Sequence, residues 1–274
     1  MIKFTYEGTS KKLSRVIFEE YPKIGYSSLQ KLFRKSDIKI NGKRISSDLV
    51  LQTGDEIIIY YNEPVFSPEI LYEDENIITF YKPKKIKSQG SNSFEEKIHS
   101  KFPTLILCHR LDMNTEGILL FAKTDDVFEE IKKQFKAHTI QKKYYALVAG
   151  EINESGFYKD YILKRDDEKK VYVYNAPKDG AKEAILSFTP IKKRDGCTLV
   201  DVSLITGRMH QIRAQFAYHG HPVIGDDKYG DERTNMVFQA KSQKLIAYKM
   251  FFSIKSGPLH YLNGKEIVIH DIKI

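Results

Sequence analysis

The 274-residue sequence predicts an α+β protein, in which a small helix-helix-hairpin domain precedes a larger domain with a mixed, largely antiparallel sheet. Two observations support this prediction. In the second part of the chain, strand-like segments outnumber helical ones and lack the regular alternation of a doubly wound parallel sheet. The first part shows two helical patterns, followed by an Asn-Gly pair between alternating apolar residues, which is typical of a β-hairpin.

The small domain is predicted to cover residues 1–62. Its first helix should turn one apolar face inward, formed by Leu13, Ile17 and Phe18. A second helix, capped by Ser27 or Ser28, should bury Leu29, Leu32 and Phe33. The period-two pattern then continues around turns at Asn41-Gly42 and Gly54-Asp55, with inward positions at Ile38, Ile40, Leu49, Leu51, Ile57 and Ile59.

Basic residues are concentrated in this first part. The chain has 44 lysines and arginines against 36 acidic residues, a net charge of +8, and residues 1–62 hold 11 of the cations and 7 of the anions. Helical spacing places Lys31, Arg34 and Lys35 on one face, while Lys43 and Arg44 follow the hairpin turn. These side chains form either an ordinary solvated surface or a patch that contacts the phosphates of a nucleic acid.

Pro64 and Pro68 bracket an extended segment, so we expect a linker near residues 62–70 and a second domain over 70–274. An apolar strand at 77–81 should end at Lys82-Pro83. A helix capped by Asp125 or Asp126 and a second helix ending near Gly220 are expected. Further strands are predicted at Tyr144–Val148, Ala184–Phe188 and Thr198–Ile205.

Composition excludes several classes of protein. Cys108 and Cys197 form no CxxC pair, so the sequence indicates reduced thiols rather than a disulfide framework or a zinc site. Cys108 precedes His109, but adjacent strand residues point to opposite faces, which favours a buried thiol over a Cys/His nucleophile. There is no apolar run of membrane or signal-peptide length. We therefore expect a cytoplasmic protein that does not bind membranes.

Two segments place charged residues between apolar strands: LCHRLDMNTEGILLFAK at 107–123 and LITGRMHQIRAQFAYHGHPVIGDDKYG at 204–230. Charges in such surroundings are costly unless they are paired, and the candidates for pairing are Arg110, Asp112, Arg208 and Arg213. An ionised carboxylate in a sheltered cleft can act as a nucleophile or general base. A purely structural Arg–Asp bridge is the alternative, because four-residue strings recur by chance.

The full set of motifs resembles the RluA family of pseudouridine synthases. The family pattern is HRLD-x-x-T-S-G, then G-R-x-H-Q-I-R, then G-H-P-I-x-G-D. This chain has HRLDMNTEG at 109–117, GRMHQIR at 207–213 and GHPVIGD at 220–226. QKKYYALVAG at 141–150 is similar to the family's K-x-Y-x-A-x-x-x-G strand. Three ordered motifs over more than a hundred residues form a highly specific match.

The resemblance implies an isomerase that converts uridine to pseudouridine in structured RNA without metal or cofactor. Nothing in the sequence demands more than a monomer. It implies that Asp112 is the catalytic carboxylate, that Arg208 pairs with it, and that Tyr144 packs against the target base. The residues implied to bind substrate are Arg110, which can fill the vacated stack, Ile224, which lines the base pocket, His210 and Arg213.

Residues 11–60 resemble a small RNA-binding module first known from a ribosomal protein of the small subunit. DIKINGKR at 37–44 and LQTGDEIIIY at 51–60 carry this match, which implies RNA docking by the five basic residues named above. An RNA-binding module ahead of the synthase domain favours large-subunit ribosomal RNA as the substrate. A transfer RNA substrate, or a non-catalytic ribosome-assembly role on the same fold, are the alternatives.

Two positions depart from the family pattern. Glu116 stands where the family usually has serine, and Lys85 stands where the motif N/Y-K-P-x-G has glycine. The second change is expected to alter a loop beside the active site. The sequence also leaves open whether Asp112 attacks the ribose carbon or abstracts a neighbouring ribose proton.

Overall fold

The computed structural model describes residues 1–62, 66–272 and 274, and the chain divides into two compact units, Met1–Ser67 and Pro68–Ile274. Pro64, in the predicted linker, lies outside the described residues. The boundary between the units lies within the segment where the sequence predicts the linker.

The first unit packs two helices against a four-stranded antiparallel sheet in the order β1-β6-β3-β4, beside a short β2-β5 pair. Its elements are β1 (Ile2–Thr5), β2 (Lys11–Lys12), α1 (Leu13–Glu20), α2 (Tyr26–Lys35), β3 (Ile38–Ile40), β4 (Lys43–Ile45), β5 (Val50–Leu51) and β6 (Glu56–Ile59). The core of the unit includes Leu13, Ile17, Leu29, Phe33, Ile38 and Ile57.

The predicted hairpin is confirmed, since Asn41 and Gly42 have φ values of 49° and 80° and join β3 to β4. Asparagine and glycine are the residues that adopt this left-handed conformation at least cost. Three local predictions are wrong. Phe18 is 38% exposed and Leu49 is 44% exposed. No side chain caps α2, which begins after Gly25 rather than at Ser27 or Ser28.

The second unit contains the remaining elements. They are β7 (Ile70–Glu73), β8 (Ile77–Lys82), α3 (Phe94–His99), β9 (Ile106–Leu107), β10 (Glu116–Ala122), α4 (Asp125–Lys136), β11 (Ile140–Ala149), β12 (Gly156–Lys164), β13 (Val171–Tyr174), β14 (Lys182–Arg194), β15 (Cys197–Leu204), α5 (Gln211–Tyr218), α6 (Glu232–Val237), β16 (Leu245–Phe252), a 3₁₀ turn (His260–Leu262) and β17 (Glu266–Val268).

These strands form an 11-stranded sheet with the main order β13-β12-β14-β15-β11-β16-β10-β8-β7, while β9 pairs with β10 and β17 with β16. Among the pairings of the described residues, β10–β16 is parallel and the others are antiparallel. The mixed, largely antiparallel sheet predicted from the sequence is confirmed.

The alternation of β10 divides the apolar core between the two faces of the sheet. Ile118 and Leu120 join a cluster that includes Ile131 of α4. Phe121 instead contacts Phe80, with ring centroids 5.5 Å apart. Helix α4 is capped by the Thr124 side chain, which accepts a hydrogen bond from Val127, and not by Asp125 or Asp126.

Gly117 allows β10 and β16 to approach closely where they pair in parallel. It pairs with Ala247 at φ 123°, and a Cβ at Gly117 would lie 2.2 Å from the Ala247 carbonyl oxygen. Gly117→Ala is therefore expected to lower the free energy of unfolding by roughly 3 kcal/mol in urea titration. Gly264→Ala is the matched control: φ is 78° there, but the added methyl meets nothing within 4 Å. Equal losses in both variants would contradict the steric explanation.

Candidate active site

The motif residues meet in a cleft of the second unit that is open to solvent. The loop between β9 and β10 brings Asp112 to the cleft, β11 brings Tyr144, and the start of α5 brings Arg213. The apolar side chains that line it are Leu111, Leu204, Ile212 and Leu245. Segments far apart in the sequence therefore build one site.

Asp112 is held by a buried arginine that has a second carboxylate behind it. Arg213 Nη1 donates a hydrogen bond of 2.8 Å to Oδ2 of Asp112. The same guanidinium binds Asp226 through Nε at 2.6 Å and Nη2 at 2.8 Å. Among the described residues, no hydrogen bond reaches Oδ1 of Asp112, so this oxygen is open to a ligand in the cleft.

Asp226 is fully buried, and its charge is stabilised from several sides. Its Oδ1 also accepts hydrogen bonds from the backbone N–H groups of Lys228 at 2.8 Å and Tyr229 at 3.1 Å. Burial, the largest single influence, opposes ionisation of Asp226, but the hydrogen bond and charge of Arg213, together with the two backbone N–H groups, lower the pKa of the carboxyl. Burial likewise opposes the charge of Arg213, yet Asp226 and then Asp112 raise the pKa of the guanidinium. Arg213 and Asp226 therefore remain charged as a buried pair.

The predicted pairing of Arg208 with Asp112 is wrong in this structure. Arg208 is exposed in the loop before α5, and its Nε donates to the Glu183 carbonyl at 2.9 Å. Arg213 lies in the helix itself, where burial beside Asp226 fixes its guanidinium. Asp226 is the functional candidate that sequence reasoning missed, although it is the aspartate of the quoted GHPVIGD motif. When a buried arginine is already paired with one carboxylate, as Arg213 is with Asp112, a second carboxylate should be sought beside it.

Tyr144 and Arg110 line the cleft, whereas Ile224 does not. Tyr144 is buried, and burial, reinforced by the charge of Asp112, raises the pKa of its hydroxyl. Arg110 is exposed. Ile224 is fully buried and donates its backbone N–H to the Leu147 carbonyl at 2.9 Å, so the prediction that it lines the pocket is wrong.

His210 stands beside Asp112 in the left-handed conformation, with φ 54°. Its Nε2 is 3.9 Å from Oδ2 of Asp112, and its Nδ1 is 2.8 Å from the Tyr229 hydroxyl. The Tyr229 hydroxyl in turn accepts the N–H of Val171 at 2.8 Å. Burial lowers the pKa of His210, which favours the neutral ring.

Lys82 fastens the loop that carries Asp112, a function that the sequence did not predict. Its fully buried ammonium donates to the carbonyl oxygens of Pro83 and Ile86, both at 2.9 Å, and of Met113 at 3.2 Å. Burial lowers the pKa of Lys82 to about 8, although the charge of Asp112 opposes this shift. The signal for this role in the sequence was a lysine at the end of an apolar strand.

Both departures from the family pattern lie near this lysine. Glu116 forms an ion pair with Lys84 at 2.9 Å and accepts a hydrogen bond from the Tyr81 hydroxyl at 2.8 Å. Lys85 has φ 66°, so the backbone keeps the left-handed conformation that the family's glycine would adopt without strain. Lys85 therefore adopts a backbone conformation that is unfavourable for a residue with a side chain.

Cys108 and His109 do not form a nucleophilic pair. Burial raises the pKa of the Cys108 thiol to about 12, which keeps it protonated. Burial also lowers the pKa of His109, and its Nε2 accepts the backbone N–H of Leu120 at 3.3 Å. Within the described ranges, no three histidine, cysteine or carboxylate side chains are grouped as a metal site.

The five basic residues predicted to bind RNA lie on the surface of the first unit: Lys31, Arg34, Lys35, Lys43 and Arg44. Arg44 is oriented by its Nη1, which donates to the Ser36 carbonyl at 2.8 Å, and its guanidinium lies 5.5 Å from the centroid of the Tyr60 ring. Lys39 is also near this ring, with its ammonium 5.6 Å from the centroid.

Residues 76–218 match the family model described as RNA pseudouridylate synthase. The ribosomal large subunit pseudouridine synthase C of Vibrio vulnificus is 31% identical over 231 residues, covering 76% of this chain and 72% of the relative. The protein of that name from Vibrio cholerae is 29% identical over 285 aligned residues, covering 94% of this chain and 88% of the relative.

Solved structures share the fold. Human RNA Pseudouridylate Synthase Domain Containing 1 superposes with a TM-score of 0.63 at 21% identity, covering 75% of this chain and 84% of the human chain. Human RNA Pseudouridylate Synthase Domain Containing 4 gives a TM-score of 0.61 at 20% identity, covering 74% and 88%. In the part of the chain that the structure describes, no helix has the length and apolar character needed to cross a bilayer.

Proposed function

Because the chain belongs to the RNA pseudouridylate synthase family, we propose that it isomerises specific uridines of large-subunit ribosomal RNA, with Asp112 as the catalytic carboxylate. The activity, RNA pseudouridine synthesis, follows from the family. The ribosomal substrate is supported by relatives named ribosomal large subunit pseudouridine synthase C, which match along most of their length.

The observation that carries the assignment of Asp112 is its pairing with the buried Arg213–Asp226 unit. The reaction breaks the bond between the uracil nitrogen and the ribose, turns the base, and rejoins it through carbon 5. An ionised carboxylate can attack the ribose carbon or remove a neighbouring ribose proton. Arg213 binds Oδ2 of Asp112, and no described hydrogen bond reaches Oδ1, which is therefore the oxygen available to act on the substrate.

Tyr144 and Arg110 are proposed to handle the base itself. The target uridine must leave its stack, which costs a few kcal/mol. Stacking on an aromatic ring such as Tyr144 recovers about 1–3 kcal/mol per base. Arg110 is exposed at the same cleft, and a guanidinium there can occupy the place that the base vacates.

Mapping pseudouridines across ribosomal and transfer RNAs, in cells that lack the protein, tests the substrate. Wild type should restore sites in large-subunit ribosomal RNA, and Asp112→Asn should restore none. Restoration only in transfer RNA would overturn the ribosomal assignment, and identical maps with both proteins would overturn the role of Asp112.

We propose residues 1–62 as an RNA-docking domain and 70–274 as the catalytic domain. The exposed Arg44 and the half-buried Lys39 near the Tyr60 ring support this division, because phosphates and unpaired bases are recognised by such side chains. Deleting residues 1–62 is expected to raise the KM for ribosomal RNA at least tenfold at physiological salt, since several phosphate contacts disappear together. An unchanged KM for the full-length RNA would contradict the docking role.

A further inference from the structure

Lys142 lies on the active-site cleft with no described counter-ion. It precedes Tyr144 by two residues on β11, so both side chains point to the same face of the sheet. It lines the cleft together with Asp112, and it also lines two adjoining grooves, one beside Arg110 and Met113 and one beside Phe135. A ligand that extends beyond the central cleft in either direction passes this residue.

The Lys142 side chain is half-buried, and no described acidic residue forms an ion pair with its ammonium. It lies 5.0 Å from the centroid of the Phe135 ring and 3.7 Å from the position that a Cβ on Gly207 would take. Burial alone lowers the pKa of Lys142 to about 8, and no carboxylate among the described residues offsets that cost. The neighbouring Lys143 points the other way and is paired with Asp201 at 3.0 Å.

Positive charges outnumber negative charges in the cleft when no ligand is bound. Asp112 and Asp226 share the guanidinium of Arg213, which leaves the two carboxylates already bound to one cation. Besides Arg213, three cationic side chains line the cleft: Lys142, Arg110 and Arg208. A buried cation without a counter-ion is unfavourable, so this arrangement fits a ligand that brings negative charge.

We propose that Lys142 binds a phosphodiester next to the uridine that enters the cleft, and that it thereby sets the position of the nucleotide along β11. This inference rests on the proposed function, because RNA supplies the phosphate. Phosphodiesters are the charged groups of RNA, whereas the carbonyl oxygens of uracil are neutral. Gly207 keeps the approach to the ammonium open, since its place beside Lys142 holds no side chain.

The first test compares Lys142→Met with Lys143→Met, using large-subunit ribosomal RNA transcribed in vitro. Lys142→Met should raise KM roughly tenfold, with a much smaller change in kcat, because a charge-assisted hydrogen bond to the substrate is lost. The slope of log(kcat/KM) against log[salt] should fall by about 0.7, the value for one phosphate contact. Lys143→Met should change neither quantity. An unchanged salt slope in Lys142→Met overturns the proposal.

Thermal unfolding separates this role from a structural one. Removing an uncompensated buried charge should leave the Tm of Lys142→Met unchanged or higher. A clear fall in Tm, together with loss of kcat, would make Lys142 a structural residue and would overturn the proposal.

A second test identifies the phosphate directly. A synthetic RNA fragment centred on a uridine found by mapping is made with one uncharged methylphosphonate at each linkage flanking that uridine in turn. One substitution should raise the KM of wild type roughly tenfold and leave that of Lys142→Met unchanged, because the lost partner is the same. Equal effects on both proteins would overturn the proposal. A wild-type protein that forms no pseudouridine would instead refute the proposed function.

Discussion

Replacing Asp226 with asparagine is expected to reduce kcat for pseudouridine formation at least 100-fold, although Asp226 does not line the cleft. The variant leaves Arg213 buried with half of its counter-charge, and the amide nitrogen of asparagine faces the donors of the guanidinium. Removing one partner from a buried ion pair costs about 3–5 kcal/mol of stability. Arg213 is then free to move away from Asp112, so the reactive carboxylate loses its fixed orientation.

Asp227→Asn is the matched control for this variant. Asp227 is also near Nη2 of Arg213, at 3.5 Å, but its side chain is 64% exposed. Because the Asp227 carboxylate is solvated and lies at a longer distance, its interaction with Arg213 should contribute about 0–1 kcal/mol, so kcat and stability should change little. Steady-state kinetics and urea unfolding of the two variants measure the difference. Similar kcat values for Asp226→Asn and wild type would contradict the role of the buried pair.

Lys82→Met is expected to lower stability strongly, although Lys82 does not line the cleft. The fully buried ammonium satisfies three carbonyl oxygens, and methionine of similar length can satisfy none. These hydrogen bonds are partly buried and charge-assisted, and the loss of each costs about 1–3 kcal/mol, so a loss of roughly 3 kcal/mol or more is expected. A change of 1 kcal/mol shifts Tm by about 2–4 °C in a domain of this size, which predicts a fall on the order of 10 °C.

Activity should fall with it, because the carbonyl of Met113 follows Asp112 directly in the chain. Lys123→Met provides the control, since Lys123 forms a surface ion pair with Glu73 at 2.7 Å. That variant should unfold within about 1 kcal/mol of wild type. Lys82→Met with a wild-type Tm and normal kcat would show that the loop holds its conformation without the lysine.

Local patterns in the sequence were sufficient for most elements of the fold. The Asn41-Gly42 turn and the strands of both units follow from alternation, because the buried face of a strand must be apolar at every second residue. The sequence predicted the buried faces and caps of the helices less accurately. Phe18 follows Leu13 by five residues, which turns it about 140° away from the buried face. Thr124 precedes two aspartates, and backbone conformation decides which of these residues caps the helix.

Pairings between distant residues could not be derived from local patterns. Arg213 and Asp112 are 101 residues apart, so only the folded sheet and α5 bring them together. The motif GRMHQIR offers two arginines, and periodicity does not decide which of them faces the cleft. Lys82 and Asp226 were missed because each also binds a group from another segment of the chain, Met113 in one case and Arg213 in the other. Burial and hydrogen bonding in the folded chain are what identify them.

The release of tritium from carbon 5 of uridine tests the central claim most directly. The hydrogen at carbon 5 leaves when the base rejoins the ribose through that carbon, so ribosomal RNA labelled there reports each turnover. Purified wild type should release tritium, and Asp112→Asn should bind the same RNA while its release falls to background. Release by Asp112→Asn at the wild-type rate would contradict the assignment of Asp112 as the catalytic carboxylate.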